Sequence, residues 1–209
     1  MNGITLNGDR FNWWSNLRHG GLLLDTPRLT ALIPTDPSEL SAFHQDRLRR
    51  RLTQFQDDPA AHRGEFVGFV LEAICGFARP LGEWYRGAEV KTDWSRKAIT
   101  GESIRPRHLW LGQNGSTLPV FVDDQHRLGV GKGRRIVSHV LGWLRNGKEQ
   151  LDLITNGQEW RLVFAGLDYE AFCQWDVDSW FAEGNASREL PGFRALFAPP
   201  LWTDRKSVV

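Results

Sequence analysis

The chain has 209 residues, and its 26 basic and 25 acidic residues leave a formal net charge of +1, which excludes a histone-like protein that binds nucleic acid through overall charge. A hydrophobic content of 41% is enough for a packed core, no stretch approaches the roughly 20 apolar residues of a membrane span, and the start Met1-Asn2-Gly3-Ile4 lacks the pattern of a signal peptide. Cys75 and Cys173 alone cannot build a disulfide framework or a cysteine-rich zinc site, so we expect a reduced, cytoplasmic protein.

Residues 1–62 are predicted to form an N-terminal arm followed by a basic helix. The pairs Asn2-Gly3, Asn7-Gly8 and Gly20-Gly21 are typical of tight turns. They indicate a small β-type arm, with short strands at residues 4–6 and 22–24.

The basic helix is expected to begin near Thr35-Asp36-Pro37, where an N-cap side chain precedes a proline suited to the first helical position. It is expected to end at Asp57-Asp58-Pro59. One face is apolar, and the other carries the run from Arg47 to Arg51, which includes Arg50. Such a face is usually solvated, and its alternative use is contact with nucleic-acid phosphates.

Residues 63–185 are predicted to form the core, an α/β unit with a mixed sheet and helices on its faces. A helix over 64–78 that carries Glu72 is followed by strand, strand, strand, helix, strand and strand. The later helix is predicted at 134–144, and the strands at 84–92, 108–111, 118–122, 151–155 and 159–165. Asn156-Gly157 is typical of a type I′ turn in the last hairpin. Residues 186–209 are predicted to form a short helix, over 187–197, and a polar tail.

This order of elements resembles the core of the PD-(D/E)XK nuclease fold. The sequence LITNGQEWRL at 153–162 resembles the strand pair that closes the nuclease-like N-terminal regions of large bacterial restriction–modification and phage-defence DNA methylases. The segments 128–135 and 165–169 are also similar to that group. The resemblance implies a nuclease-like fold that associates with DNA and with a methyltransferase domain or subunit, in cis or in trans.

The sequence departs from the catalytic pattern that the resemblance implies. An active member carries an acidic residue near the second strand and Glu/Asp-x-Lys on the third, where carboxylates hold Mg²⁺ and lysine assists the attacking water. The third strand, followed by Asp123 and Asp124, has no such lysine, and Glu89-Val90-Lys91 falls in the first strand. We therefore expect a non-cleaving domain without a cofactor. The alternative is a Mg²⁺-dependent endonuclease that uses Asp123 or Asp124 with Glu72, Glu89 and Lys91.

The sequence lacks the motifs of three other classes: methyltransferases, histidine-based metalloenzymes and serine hydrolases. It contains no Asn/Asp-Pro-Pro-aromatic motif and no glycine-rich cofactor loop after an early strand, so the chain alone is not a methyltransferase. Its six histidines include no His-x-x-x-His pair, and there is no Gly-x-Ser-x-Gly nucleophile motif. We expect a fragment of a longer protein or a separate accessory domain.

A glycine-rich loop at 129–133 is the clearest functional signal that does not depend on the resemblance. Lys132, Arg134 and Arg135 lie where the second core helix begins, and cations there oppose the positive end of the helix dipole unless an anion is present. Backbone N–H groups and these side chains would suit a phosphate of DNA. The alternative is a flexible loop with solvated charges.

A third hypothesis is a protein-interaction domain. The chain has ten tryptophans, several times the usual share, and residues 168–183 combine acidic and aromatic side chains. Aromatic residues at a polar rim are typical anchors of an interface, although a tryptophan-rich core is the simpler interpretation.

Overall fold

Two runs that the sequence predicts as strands, 151–155 and 159–165, lie in the middle of a seven-stranded sheet. The computed structural model describes residues 10–78, 81–98, 101–124, 127–166, 168–182 and 184–199. Its helices are α1 (Asn12–Ser15), α2 (Thr26–Leu32), α3 (Ala42–Asp57), α4 (Pro59–Phe69), α5 (Arg134–Arg145) and α6 (Glu189–Phe197), and a π-helical turn, Val70–Cys75, continues α4. Its strands are β1 (Arg18–Gly20), β2 (Gly82–Arg86), β3 (Arg96–Lys97), β4 (Ser103–Ile104), β5 (His108–Gly112), β6 (Thr117–Val122), β7 (Leu151–Thr155), β8 (Glu159–Ala165) and β9 (Glu170–Asp176).

The sheet consists of two antiparallel sets of strands joined by one parallel pair. Its order is β1-β9-β8-β7-β6-β5-β2, and β3 and β4 form a separate hairpin. β6 runs parallel to β7, with Val120 opposite Leu153 and Val122 opposite Thr155. Parallel neighbours need a crossover connection, and α5 supplies it. The predicted class, an α/β fold with a mixed sheet flanked by helices, is confirmed.

The sheet separates two apolar cores. The larger one contains buried residues of α3, α4, the π-helical turn and α6, among them Leu48, Val67 and Phe197, together with one face of the sheet. The smaller one lies under α5 and includes Val140. All three predicted segments, 1–62, 63–185 and 186–209, contribute to the larger core. No helix in the described residues is long and apolar enough to cross a bilayer.

Tryptophans dominate the packing. Seven of the nine tryptophans in the described residues are buried, and Trp84 and Trp94 are half-buried. Trp160, Trp175 and Trp180 surround Phe193 of α6 with ring centroids 5.2 to 5.5 Å from it. In the part of the chain that the structure describes, no tryptophan is left exposed for a partner.

Three predicted boundaries are wrong because other residues cap the helices. α3 begins at Ala42, since the Ser41 hydroxyl accepts a hydrogen bond from the His44 N–H, whereas Asp36 forms an ion pair with Arg10. α4 begins at Pro59 because the carboxylate of Asp58 accepts from the Ala61 N–H at 3.1 Å. The helical segment ends at Cys75, before Gly76 with a φ of 90°.

The N-terminal arm and one turn also differ from the predictions. β1 lies at Arg18–Gly20, and residues 22–24 form no strand. The hairpin after β7 is not type I′, because only Gly157 has a positive φ and that turn needs two such residues. β9 lies between β8 and β1 in the sheet. Asn2-Gly3, Asn7-Gly8, the strand predicted at 4–6 and the polar tail lie outside the described residues.

The two cysteines are free and buried. Burial raises the pKa of both Cys75 and Cys173, so the thiolate form is disfavoured at each. Because the thiolate is the reactive form and neither side chain reaches solvent, both cysteines act as small apolar residues of the core.

A carboxyl group is buried in β7. Asp152 has 0% of its surface exposed, and its two side-chain oxygens form no hydrogen bond with any described residue. Burial raises the pKa of Asp152 well above the usual range. The folded protein therefore keeps a proton that the unfolded chain releases above about pH 4, so the contribution of Asp152 to stability falls as the pH rises above that value.

Replacing this group is expected to stabilise the protein. Asp152→Val removes a buried polar group and should raise the free energy of unfolding by about 1–3 kcal/mol near pH 5. The gain should grow toward pH 8, with a slope of up to about 1.4 kcal/mol per pH unit. Urea unfolding at several pH values measures both the free energy of unfolding and its slope with pH. Asp46→Asn, on the exposed face of α3, is the control. A variant less stable than the parent at every pH would contradict the assignment.

Candidate functional site

Glu72 lies on the π-helical turn and faces the outer strand of the sheet. Its Oε1 accepts hydrogen bonds from Trp84 Nε1 and from Arg86 Nη1, both at 3.1 Å. Both donors lie on β2, so the carboxylate fastens the end of the helix to this strand. Glu72 therefore has a structural role that its position on an amphipathic helix did not predict.

The sheet face on the side of Glu72 carries no carboxylate at the inner strands. Arg86 is opposite His108 on β5, and His108 is opposite Val120 on β6, so these residues share that face. Val122 lies two residues further on. Among the described residues, this part of the face therefore offers a histidine and two valines and no carboxylate for a metal ion.

The other acidic candidates are dispersed. Glu89 accepts a hydrogen bond from the Arg86 N–H at 2.9 Å, and Lys91 is exposed after this turn. Asp123 and Asp124 follow β6, two strands from β2 and therefore about 10 Å away in the sheet. Among the described residues, no three His, Cys, Asp or Glu side chains are grouped to hold a metal ion.

Asp124 borders a polar hollow of about 400 Å³ at the edge where β6 and β7 end. Arg63 and Asp178 also line it, and Arg63 Nε donates to the Asn156 carbonyl at 2.9 Å. The hollow brings one candidate catalytic acid beside a guanidinium group. It does not contain Glu72, Glu89 or Lys91.

The cations near α5 fall into two groups. Arg135 forms an ion pair with Glu102, which lowers the pKa of that carboxyl group, so the charge of Arg135 is compensated. Lys132 and Arg134 are exposed and form no ion pair with a described residue. The first turn of α5 has neither an acidic residue nor a side-chain cap, as the sequence indicated.

The loop before α5 places further cations beside Lys132 and Arg134. A Cβ at Gly133 would lie 1.8 Å from the Arg127 carbonyl oxygen, so only glycine allows this approach. Arg127 and Arg18 of β1 line a neighbouring hollow of about 280 Å³, whose lining also includes the acidic residues Glu159, Asp176 and Glu189. Neither arginine forms an ion pair with a described residue. We call Arg18, Arg127, Lys132 and Arg134 the cationic rim.

Arg161 of β8 lies beneath this rim, and 3% of its surface is exposed. Its Nε donates to Gln174 at 2.8 Å and its Nη2 to the Leu128 carbonyl at 2.7 Å. Burial and the charge of Arg18 lower the pKa of Arg161 to about 10, whereas Glu159 raises it. The guanidinium group stays charged at neutral pH and adds to the positive potential of the rim.

The arginines of α3 do not form one patch. Arg47 packs over the rings of Phe43 and Phe69, and Arg51 pairs with Glu65. The Arg50 Nε contacts the Asp46 carbonyl of its own helix. Arg47 and Arg51 therefore stabilise the helical layer. Of these three arginines, Arg50 is the exposed one and the candidate for a phosphate contact.

Sequence reasoning missed Arg18, Arg127 and Arg161 because they come from three separate segments. Their proximity depends on the pairing of β1 with β9 and of β9 with β8. The one available signal is Arg161, a charged residue at an inward position of a strongly apolar strand.

Comparison with protein-family models, with curated proteins and with solved structures gave no match for this chain.

His108 is expected to make the fold sensitive to acid. Its ring stacks on Trp84 with centroids 5.4 Å apart, and burial, followed by Arg107 and Arg86, lowers its pKa to about 4. Because the unfolded chain binds a proton below about pH 6.5, the contribution of His108 to stability should fall by up to about 1.4 kcal/mol per pH unit from there to about pH 4, opposite in sign to the contribution of Asp152. His108→Phe keeps the stack and should remove this loss in urea unfolding. An unchanged pH profile would contradict the assignment.

Proposed function

We propose that this chain is a DNA-binding accessory domain that does not cleave DNA. It contacts the phosphate backbone through the cationic rim and acts beside a restriction–modification or phage-defence methyltransferase, as a domain or a subunit. It needs no cofactor and works in the cytoplasm. The observation that carries this proposal is a set of four exposed cations without ion-pair partners in the described chain.

The rim supports the proposal through its electrostatics. Cations held close together repel each other and destabilise a protein unless an anion binds between them. The phosphates of DNA are closely spaced anions that can bind in this way. The α5 start adds the positive end of a helix dipole without an acidic residue to offset it. Contacts of this type position a protein on DNA and do not read its sequence.

The order of elements also supports the proposal. Apart from the separate β3–β4 hairpin, the helical segment of α4 and the π-helical turn is followed by β2, β5, β6, α5 and β7, with β6 parallel to β7. This is the order on which the resemblance to nuclease-like domains rests. His108 and Val120 on the face of Glu72 favour the non-cleaving form, because neither side chain supplies a carboxylate for Mg²⁺.

DNA binding is tested by reversing the charge of rim residues. Lys132→Glu and Arg127→Glu should each weaken binding to a duplex about tenfold at low salt and reduce the slope of log K against log salt by about 1. Lys148→Glu is the matched control, since it makes the same charge change beyond the far end of α5. Fluorescence anisotropy over a salt series gives both quantities. Equal losses in all three variants, or no binding by the parent, would contradict the proposal.

Absence of cleavage is tested separately with supercoiled plasmid and Mg²⁺ or Mn²⁺. We expect no metal-dependent nicking, because the candidate acids are dispersed over separate strands. Nicking that Asp123→Ala or Glu72→Gln abolishes would instead support the endonuclease alternative. Capture of a partner protein without any DNA binding would support the interaction-domain alternative.

A further inference from the structure

The face of the sheet under α5 is only partly covered. α5 crosses β7 and β8, and a hollow of about 240 Å³ remains between the helix and strands β8 and β9. Arg134, Ser138 and Leu141 recur at helical spacing along the helix side of this hollow. Val163 and Phe172, which are opposite each other in the sheet, form its floor. We call this hollow the α5 groove.

The groove is cationic at one end. Arg161 lines it, and its Nη1 forms no hydrogen bond with any described residue, although Nε and Nη2 are both bonded. A Cβ on Gly129, which also lines the groove, would lie 2.5 Å from this Nη1. The guanidinium lies over the ring of Phe172, with Cζ 4.1 Å from the ring centroid, and Nη1 is its one nitrogen without a hydrogen bond to a described residue. Arg134, which is exposed, lines the same groove.

Acidic residues neutralise the positive charge at the Arg161 end of the groove only in part. Glu159 is separated from Arg161 by Gln174, whose Nε2 donates to Glu159 at 2.9 Å. Glu170, at the opposite end of the groove, pairs with Arg145 at 3.0 Å. Along the middle of the groove the lining is apolar, with Val137, Leu141 and Val163.

A guanidinium edge presents parallel N–H donors that suit the oxygen atoms of a carboxylate or phosphate. The strand segment from Arg161 to Ala165 spans four residue steps, or about 13 Å. An extended octanoate spans about 10 Å, from C–C bonds of about 1.5 Å. The shape and the polarity of the groove match a small molecule with one anionic head and an apolar body.

We propose that the α5 groove binds a small amphiphilic anion, with its carboxylate or phosphate head on Arg161 and Arg134 and its apolar body between α5 and the sheet. This site is separate from the proposed DNA contact, although Arg134 borders both. A ligand that fills the groove would join α5 to β9, across the part of the sheet that the helix leaves uncovered.

The test is a titration of the whole chain with octanoate and with octyl phosphate, followed by ¹H–¹⁵N NMR and calorimetry. Binding of either compound supports the site, and the tighter one identifies the preferred head group. Octanol has the apolar body without an anionic head, and inorganic phosphate has the anion without an apolar body. Each should bind at least about tenfold more weakly than octanoate or octyl phosphate. Equal binding of octanol and octanoate, or no binding of either anion, would overturn the proposal.

Variants localise the binding. Arg134→Gln should weaken octanoate about tenfold, whereas the matched change Arg135→Gln on the neighbouring, ion-paired residue should not. Ser138→Trp fills the groove from an exposed position and should abolish binding while thermal unfolding shows that the fold persists. Octanoate binding that survives Ser138→Trp would refute the site.

The two proposals fail independently. Ser138→Trp should leave duplex binding at the rim unchanged, and Lys132→Glu should leave octanoate binding unchanged. Loss of DNA binding in the parent with octanoate binding intact would remove the proposed function and keep the groove.

Discussion

The buried polar network between β8, β9 and the loop after β6 determines where the charged surface lies. Glu159 accepts hydrogen bonds from the Leu128 N–H and from Gln174, and Arg161 donates to Gln174 and to the Leu128 carbonyl. A buried charge without partners costs several kcal/mol, so this loop has one strongly preferred position against β8. The start of α5, the cationic rim and the α5 groove all follow from that position.

The aromatic core explains why the terminal segments belong to the same structure as the sheet. Trp175 packs against Trp14 of α1 and against Phe193 and Phe197 of α6. Large aromatic side chains bury much area and carry most of the packing energy of a core. Since segments far apart in sequence share these contacts, loss of either terminal layer would expose the rings of the other.

The fold was more predictable than the site, for a physical reason. The strands at 108–112, 117–122, 151–155 and 159–165 and helix α5 have strong local periodicity, which is a property of neighbouring residues. The start of α3 was misplaced because Asp36 and Ser41 are both acceptable caps, and tertiary packing decides between them. The grouping of Arg18, Arg127 and Arg161 depends on strand pairing between distant segments, and no local pattern encodes it. Lys132 and Arg134 were found because a helix start is itself a local feature.

The single parallel pair has a consequence for how the chain reaches this structure. Strands β5 and β6, and likewise β7 to β9, form hairpins from nearby residues, which close quickly. Their union requires the β6–β7 ladder and the α5 crossover, contacts of greater separation along the chain. Folding kinetics in domains of this kind are limited by such non-local pairing. We therefore expect the joining of the two hairpin sets across β6 and β7 to be slower than the formation of either set, and substitutions such as Val120→Ala and Leu153→Ala to lower the folding rate.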